Sequence, residues 1–191
     1  MSKYIIGMTG ASGSIYGVRL IEELLKMGNE VHIIITDSGR KVLKYETDYT
    51  VELLKNHLEQ FKGDNKIQDI DDLFAATASG SFRTDGMVVL PCSMATLGEI
   101  ANGVSKNLLG RSADVCLKER RKLIIVPRET PLNTIHLKNM LSLSEAGALI
   151  LPAMPGFYHK PETIDDMINF VVGKVMDSLG IENDLFDKWG K

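Results

Sequence analysis

Cysteine is nearly absent from this chain: Cys92 and Cys116 are the only two in 191 residues, and they form no cluster. That excludes a disulfide framework or a thiolate metal centre as the source of stability, and it suits a reducing cytoplasm. Histidine is also sparse, with His32, His57, His136 and His159 scattered at no ligand spacing, so no metal is expected. No apolar run approaches the ~20 residues of a membrane helix. Met1-Ser2-Lys3 leads directly into strand-like sequence rather than a signal peptide. The expected setting is the cytoplasm, with no membrane partner. Excess positive charge is missing too: 22 Lys and Arg against 25 Asp and Glu leave a net charge of −3. That removes any general attraction to nucleic acid, although the run Lys118-Glu119-Arg120-Arg121-Lys122 could hold a small anion. Internal repeats and low-complexity tracts are absent, and the one tryptophan is Trp189, near the end. Small-molecule chemistry on one domain remains, in a chain long enough to bury about 70% of its unfolded surface.

What is present is alternation. Nearly continuous apolar runs at residues 4–8, 31–36, 87–92, 122–127 and 148–152 read as strands buried on both faces, as in a parallel sheet covered by helices. Helical spacing fills the intervals. Residues 17–27 carry Val18, Leu20, Ile21, Leu24 and Leu25; residues 131–146 carry Leu132, Ile135, Leu137, Met140, Leu141 and Leu143; residues 161–179 open near Pro161 and stop at Gly180. The expected class is α/β, a three-layer Rossmann-like fold with a mostly parallel sheet, in one domain over 1–191 with a tail at 180–191. Met8, Met27, Met87, Met140, Met154, Met167 and Met176 read as core fillers.

One interval is too long. About fifty residues separate Thr36 from Met87, more than a simple crossover needs. Helical pieces at 38–44 and 50–61, the second capped by Thr50, and an edge strand at 66–70 account for its first part. Its second part, Ala75-Ala76-Thr77-Ala78-Ser79-Gly80-Ser81, is small and uncharged. A solvent-exposed linker and a backbone-rich wall against a ligand or neighbouring protomer fit it equally well.

In an open parallel sheet, ligands bind beyond the carboxyl ends of the strands, where the winding reverses. Polar or strained residues collect at those ends: Thr9-Gly10-Ala11-Ser12-Gly13, Thr36-Asp37-Ser38-Gly39, Pro91-Cys92-Ser93-Met94-Ala95-Thr96, Pro127-Arg128-Glu129-Thr130-Pro131 and the stretch 152–159. The glycine turn allows close backbone approach, and the helix after it offers NH groups to an anion. Its spacing, Gly10-x-x-Gly13-x-x-x-Gly17, departs from the dinucleotide pattern, so Asp37 is not expected to bind a ribose. Ser93 is placed to cap a second helix, whose first NH groups, at Met94, Ala95 and Thr96, form another anion-binding start. Two helix starts and Arg128 suit a mononucleotide with one phosphate. Arg128-Glu129 reads either as a local ion pair or as a strand-end carboxylate serving proton transfer. Glu46 taken alone reads as a solvated helix-end acid. Cys92-Ser93 lacks a Gly-x-Ser-x-Gly elbow and reads as a buried thiol beside a capping serine. Asp69-Ile70-Asp71-Asp72 reads as a solvated turn rather than a metal site.

Several stretches taken together resemble the UbiX flavin prenyltransferases over essentially the whole chain: Thr9-Gly10-Ala11-Ser12-Gly13, Glu46-Thr47-Asp48, Ala78-Ser79-Gly80-Ser81, Pro91-Cys92-Ser93, the segment from Arg111 to Arg121, Val126-Pro127-Arg128-Glu129-Thr130-Pro131 and Pro155-Gly156-Phe157-Tyr158-His159. The resemblance implies transfer of a dimethylallyl group from dimethylallyl phosphate to reduced FMN, closing a ring across flavin N5 and C6. The product, prenylated FMN, would serve a UbiD-type aromatic acid decarboxylase, which is why such proteins have also been named as components of phenolic acid decarboxylases. FMN would be held by Gly10, Ala11, Ser12, Thr36, Ser93, Met94, Ala95, Thr96 and Arg128. The isoprenyl phosphate would meet Tyr158 and Lys174, with Ser79, Arg111, Lys118 and Glu129 nearby. Ser12 and Glu46 would assist proton removal, Glu129 would carry proton traffic, Lys118 would face the leaving phosphate, and Trp189 would offer a π face to allyl cation character. No metal is implied. Thr36 stands where serine is frequent, and Lys174 where arginine is common, which keeps charge but loses two-pronged geometry. A dodecamer with sites at the junctions between protomers is also implied. Two other readings are an FMN-dependent decarboxylase acting alone, of the cysteine-decarboxylase type, and a non-catalytic FMN carrier within a decarboxylase complex.

Overall fold

The computed structural model describes residues 1–190. Its strands are β1 (Lys3–Met8), β2 (Glu30–Ile35), β3 (Asp64–Gln68), β4 (Gly86–Cys92), β5 (Leu123–Pro127) and β6 (Leu149–Ile150). They form one sheet in the order β3-β2-β1-β4-β5-β6, and every neighbouring pair is parallel. The helices are α1 (Ser14–Lys26), α2 (Asp37–Thr47), α3 (Val51–Leu58), α4 (Met94–Ala101), α5 (Leu108–Lys118), α6 (Thr134–Glu145) and α7 (Ile164–Leu179). Alternation along β1 divides the core into two faces. Tyr4, Ile6 and Met8 pack with apolar residues of α1, α2, α3 and α7, whereas Ile5 packs with those of α4, α5 and α6. This is the expected three-layer α/β arrangement. The order runs outward from β1 in both directions, to β2 on one side and β4 on the other, so the winding reverses at the β1/β4 pair.

The elements differ from sequence expectation where capping or tertiary packing overrides periodicity. The edge strand forms at Asp64–Gln68 rather than 66–70, and the last strand shrinks to Leu149–Ile150. Thr50 does cap α3, its hydroxyl accepting from Leu53 N at 3.1 Å. Pro161 lies outside α7: Thr163 and Asp166 form a reciprocal capping box that starts the helix at Ile164. Asn133 likewise starts α6 after Pro131. Helix α5 has no counterpart among the expected elements. Gly110, Ser112 and Ala113 break its apolar spacing, yet all three are buried, because small residues let this helix lie close to the sheet. Of the methionines expected in the core, Met27 and Met154 are exposed. No helix among the described residues is long and apolar enough to cross a membrane.

At the amino edge of the sheet, Glu30 is buried between neighbouring strands. Its carboxylate takes Lys66 Nζ at 2.6 Å, Lys3 Nζ at 2.9 Å and His32 Nε2 at 2.8 Å. The register places Lys3 beside Glu30 and Lys66 beside His32, so three strands are tied by one side chain. The hydrogen bond from Lys66 is the main cause that holds its pKa at about 2, against burial, which pushes it up. A depressed carboxylate stabilises the fold above its unfolded pKa of 4.5, and that contribution disappears as pH falls towards 2. Glu30→Gln should therefore cost about 1–3 kcal/mol at neutral pH. In urea titrations the difference from the parent chain should shrink steadily between pH 4.5 and 2. A pH-independent difference would assign the effect to packing instead.

Candidate functional site

The carboxyl ends of β1 and β4 are bolted together by Thr9. Its hydroxyl donates to Pro91 O at 2.9 Å and accepts from Ser93 N at 2.7 Å, while Thr9 N also donates to Pro91 O at 3.2 Å. The glycine turn and the start of α4 are thereby held side by side. Ser93 caps α4 as expected, accepting from Thr96 N at 3.3 Å. The amides of Met94 and Ala95, in the first turn, have no partner within the helix. Thr36 caps α2 through Gly39 N at 3.0 Å, and its hydroxyl lies 3.2 Å from that of Ser38. A Cβ at Gly10 would stand 2.6 Å from Ser38 Cβ, so only glycine lets the turn lie against α2.

The start of α1 works differently from expectation. Gly13 is its N-cap, left-handed at φ 106°, and has no side chain to cap with. Glu46, from the last turn of α2, supplies the missing acceptor: Gly13 N and Ser14 N both donate to Oε2 at 2.9 Å. These two amides are therefore occupied by a carboxylate and are not free for a phosphate. Burial raises the Glu46 pKa, but hydrogen bonds from the Ser12 hydroxyl and from the Ser14 and Gly13 amides outweigh it and hold the group below its usual value. Glu46 is thus not merely a solvated helix-end acid.

Arg128 crosses from β5 over the end of β4, and its Nε donates to Ser12 O at 3.2 Å. No ion pair joins it to Glu129 among the described residues, so the local-pair reading fails. Two cavities share Arg128 as a wall. One, of about 350 Å³, is lined by Ser12, Tyr16, Glu46, Ala153 and Ile168 as well. The other, of about 310 Å³, adds Glu129, Leu132, Met140 and Met154. Burial pushes the Tyr16 hydroxyl pKa up, which keeps it neutral. A cationic side chain shared by two mainly apolar chambers, beside the α4 start, fits a flavin mononucleotide with its phosphate near that start and its ring against an apolar wall.

The flavoprotein family model matches residues 1–176. A flavin prenyltransferase UbiX of Halalkalibacterium halodurans is 53% identical over 98% of this chain and 93% of its own. The chain belongs to the UbiX flavin prenyltransferase family. Its fold superposes with a TM-score of 0.94 on a UbiX protein crystallised with FMN and dimethylallyl pyrophosphate, at 40% identity over 100% of this chain and 98% of that one. A dodecameric FMN-dependent UbiX-like decarboxylase from Escherichia coli O157:H7 gives 0.92, at 45% identity over 99% and 100%.

The remaining residues that the UbiX resemblance implicates lie elsewhere on this chain. Helix α5 begins at the carboxyl edge, where Leu108 N donates to Ile70 O, and runs back to the amino edge. There Arg121 donates to the carbonyls of Gly80 and Phe82, and the Phe82 ring stands 5.0 Å from His32. Lys118, at the end of α5, pairs with Glu119. It is about a strand length, roughly 20 Å, from the Ser12 turn. Arg111 donates to Ala78 O at 3.1 Å and pairs with Asp114 at 2.7 Å. The uncharged stretch holding Ser79 is thus a wall against α5 of its own chain, not a free linker. Tyr158, Lys174 and Trp189 line neither cavity. Tyr158 and Trp189 do meet, at 5.5 Å edge to face, within an aromatic group that includes His159, Phe170 and Phe186. Asp37 is exposed, and no metal-holding group occurs among the described residues. Cys92 is fully buried, and burial pushes its thiol far up, while that of Cys116 rises to about 11.

Two measurements test this geometry. Glu46→Ala should lower stability by about 1 kcal/mol, read by thermal melting, with the loss vanishing at acid pH where the carboxylate protonates. Neither thiol should react with an aromatic disulfide reagent until the chain is unfolded.

Proposed function

We propose that this chain is a flavin prenyltransferase that joins a dimethylallyl group from dimethylallyl phosphate to reduced FMN. The observation that carries the reading is Arg128, shared by two mainly apolar chambers at the switch point of the sheet and hydrogen-bonded to the Ser12 turn. FMN is both bound group and acceptor, and in its reduced form it supplies the nucleophilic ring positions. Gly10, Ala11, Ser12, Thr36, the Ser93–Thr96 helix start and Arg128 hold it. The Glu46 carboxylate, kept ionised by its hydrogen bonds, draws a proton through the Ser12 hydroxyl as the new ring closes. Glu129 faces the chamber it shares with Leu132 and Met140, with one oxygen on Thr130 N at 3.1 Å, leaving the other to accept or return a proton. A monophosphate leaving group needs cations and hydroxyls rather than a metal, and Tyr158, Lys174, Lys118, Arg111 and Ser79 are of those types. Trp189 offers its π face to developing allyl cation character.

Because Lys118, at the far end of α5, lies away from Ser12 within one chain, we read the complete site as built between copies, in a dodecamer. Support comes from α6 and its approach, where Leu132, Ile135, Leu137 and Leu141 are exposed apolar side chains needing cover. We also read the chain as one FMN-binding domain over 1–191 with a tail at 180–191, cytoplasmic, and feeding prenylated FMN to a UbiD-type decarboxylase.

Mass spectrometry after incubation with reduced FMN and dimethylallyl phosphate should show flavin carrying one five-carbon unit. FMN bound without any adduct would sink the assignment. Glu129→Gln should slow product formation about a hundredfold or more, whereas a mere FMN carrier would keep full activation of the decarboxylase. Ile135→Glu should reduce the assembly size in light scattering and abolish transfer with it. Full transfer by a monomeric variant would show that one chain is a complete site.

A further inference from the structure

The tail is tied to α7 by contacts that the two cavities do not need. Gly173 sits in the middle of α7, where glycine costs roughly 1 kcal/mol against alanine. Its backbone is ordinary helix, so conformation does not require it. Space does: a Cβ there would lie 2.6 Å from Phe186 Cδ1 and 2.9 Å from Asn183 Oδ1. The Phe186 ring therefore rests on the helix backbone, 5.0 Å from the Phe170 ring. One turn further on, Asp177 Oδ1 accepts from Asn183 Nδ2 at 3.0 Å and from Lys188 Nζ at 2.7 Å. The hydrogen bond to Asp177 also raises the Lys188 pKa, as an ion pair should. Asn183 Nδ2 lies 3.3 Å from Gly173 O as well.

These contacts bracket Phe186 and end one residue before Trp189. Trp189 is itself 82% exposed, so its own packing does little to fix it. Leu185 packs on the core, while a cavity of about 690 Å³ lies between residues 184–187 and Lys160, Glu162, Thr163 and Asp166. We propose that Gly173, Asp177, Asn183 and Lys188 are positioning residues, a clamp that holds the tail along α7 and thereby sets Trp189 edge-on to Tyr158 at the isoprenyl-phosphate end of the site. Gly173 directly precedes Lys174, so the clamp and that phosphate cation share one helical turn. The clamp stands on these contacts alone; its role in turnover rests on the flavin prenyltransferase reading.

Trp189 is the only tryptophan, so its time-resolved fluorescence anisotropy reports on the tail alone. Gly173→Ala drives a methyl group into the Phe186 ring, and Lys188→Met cuts the ion pair at the surface without touching the core. In the full-length assembly, both should raise the amplitude of fast Trp189 rotation about twofold or more, with far-UV circular dichroism unchanged. The KM for dimethylallyl phosphate should rise about tenfold while FMN affinity holds. In a Trp189→Phe background, Gly173→Ala should cause no further kinetic loss, since the clamp acts through that ring. Unchanged anisotropy in both variants overturns the clamp, and full additivity with Trp189→Phe overturns its positioning role. Faster rotation in the variants of a chain whose parent makes no prenylated flavin would uphold the clamp and remove the prenyltransferase reading only.

Discussion

The Thr9 hydroxyl, held between the Pro91 carbonyl and the Ser93 amide, is the contact on which the site depends. A parallel sheet fixes the height of its strands through the ladder, but not the direction in which the chains leave it. Thr9 sets that direction for β1 and β4 together, at the one place where the winding diverges. The Gly10–Ser12 turn, the α4 start and the reach of Arg128 to Ser12 O all follow from it. A buried hydroxyl with both its donor and its acceptor satisfied is stiff, and stiffness is what a site built from turns requires.

The two helix starts at this edge use the same physics for different ends. At α4 the cap is local, and the first-turn amides stay available to an anion. At α1 the cap comes from α2, and the Glu46 carboxylate occupies the Gly13 and Ser14 amides. An ionised carboxylate is thereby stored next to Ser12 at low pKa, stabilised by the amides that would otherwise have bound phosphate. Phosphate affinity is given up at one helix in exchange for a held carboxylate.

Helix direction divides the remaining functional residues. Because α5 must carry the chain from the carboxyl edge back to the amino edge before β5, its last turn lies opposite the crevice. Lys118 cannot serve the Ser12 of its own chain in that geometry. Around α6, Leu132, Ile135, Leu137 and Leu141 are left as exposed apolar side chains on the same chain.

Much of this was legible from the residues. Continuous apolar runs are what two-sided burial demands, and they marked the parallel strands to within a residue or two; Ser93 and Thr50 declared their caps because capping is a local act. Helix α5 was not legible, since Gly110 and Ser112 hide its period until the sheet beneath explains them. Nor was the partner of Glu46, whose amides lie more than thirty positions away in sequence. The amino-acid sequence by itself determined the layer architecture, some of the helix caps and the chemical types gathered at the strand ends, because periodicity and local capping act within a few residues. Only the tertiary structure decided which of those groups share a crevice, that Thr9 joins two strand ends, and that the tail lies on Gly173, because those contacts depend on where distant segments are brought in space.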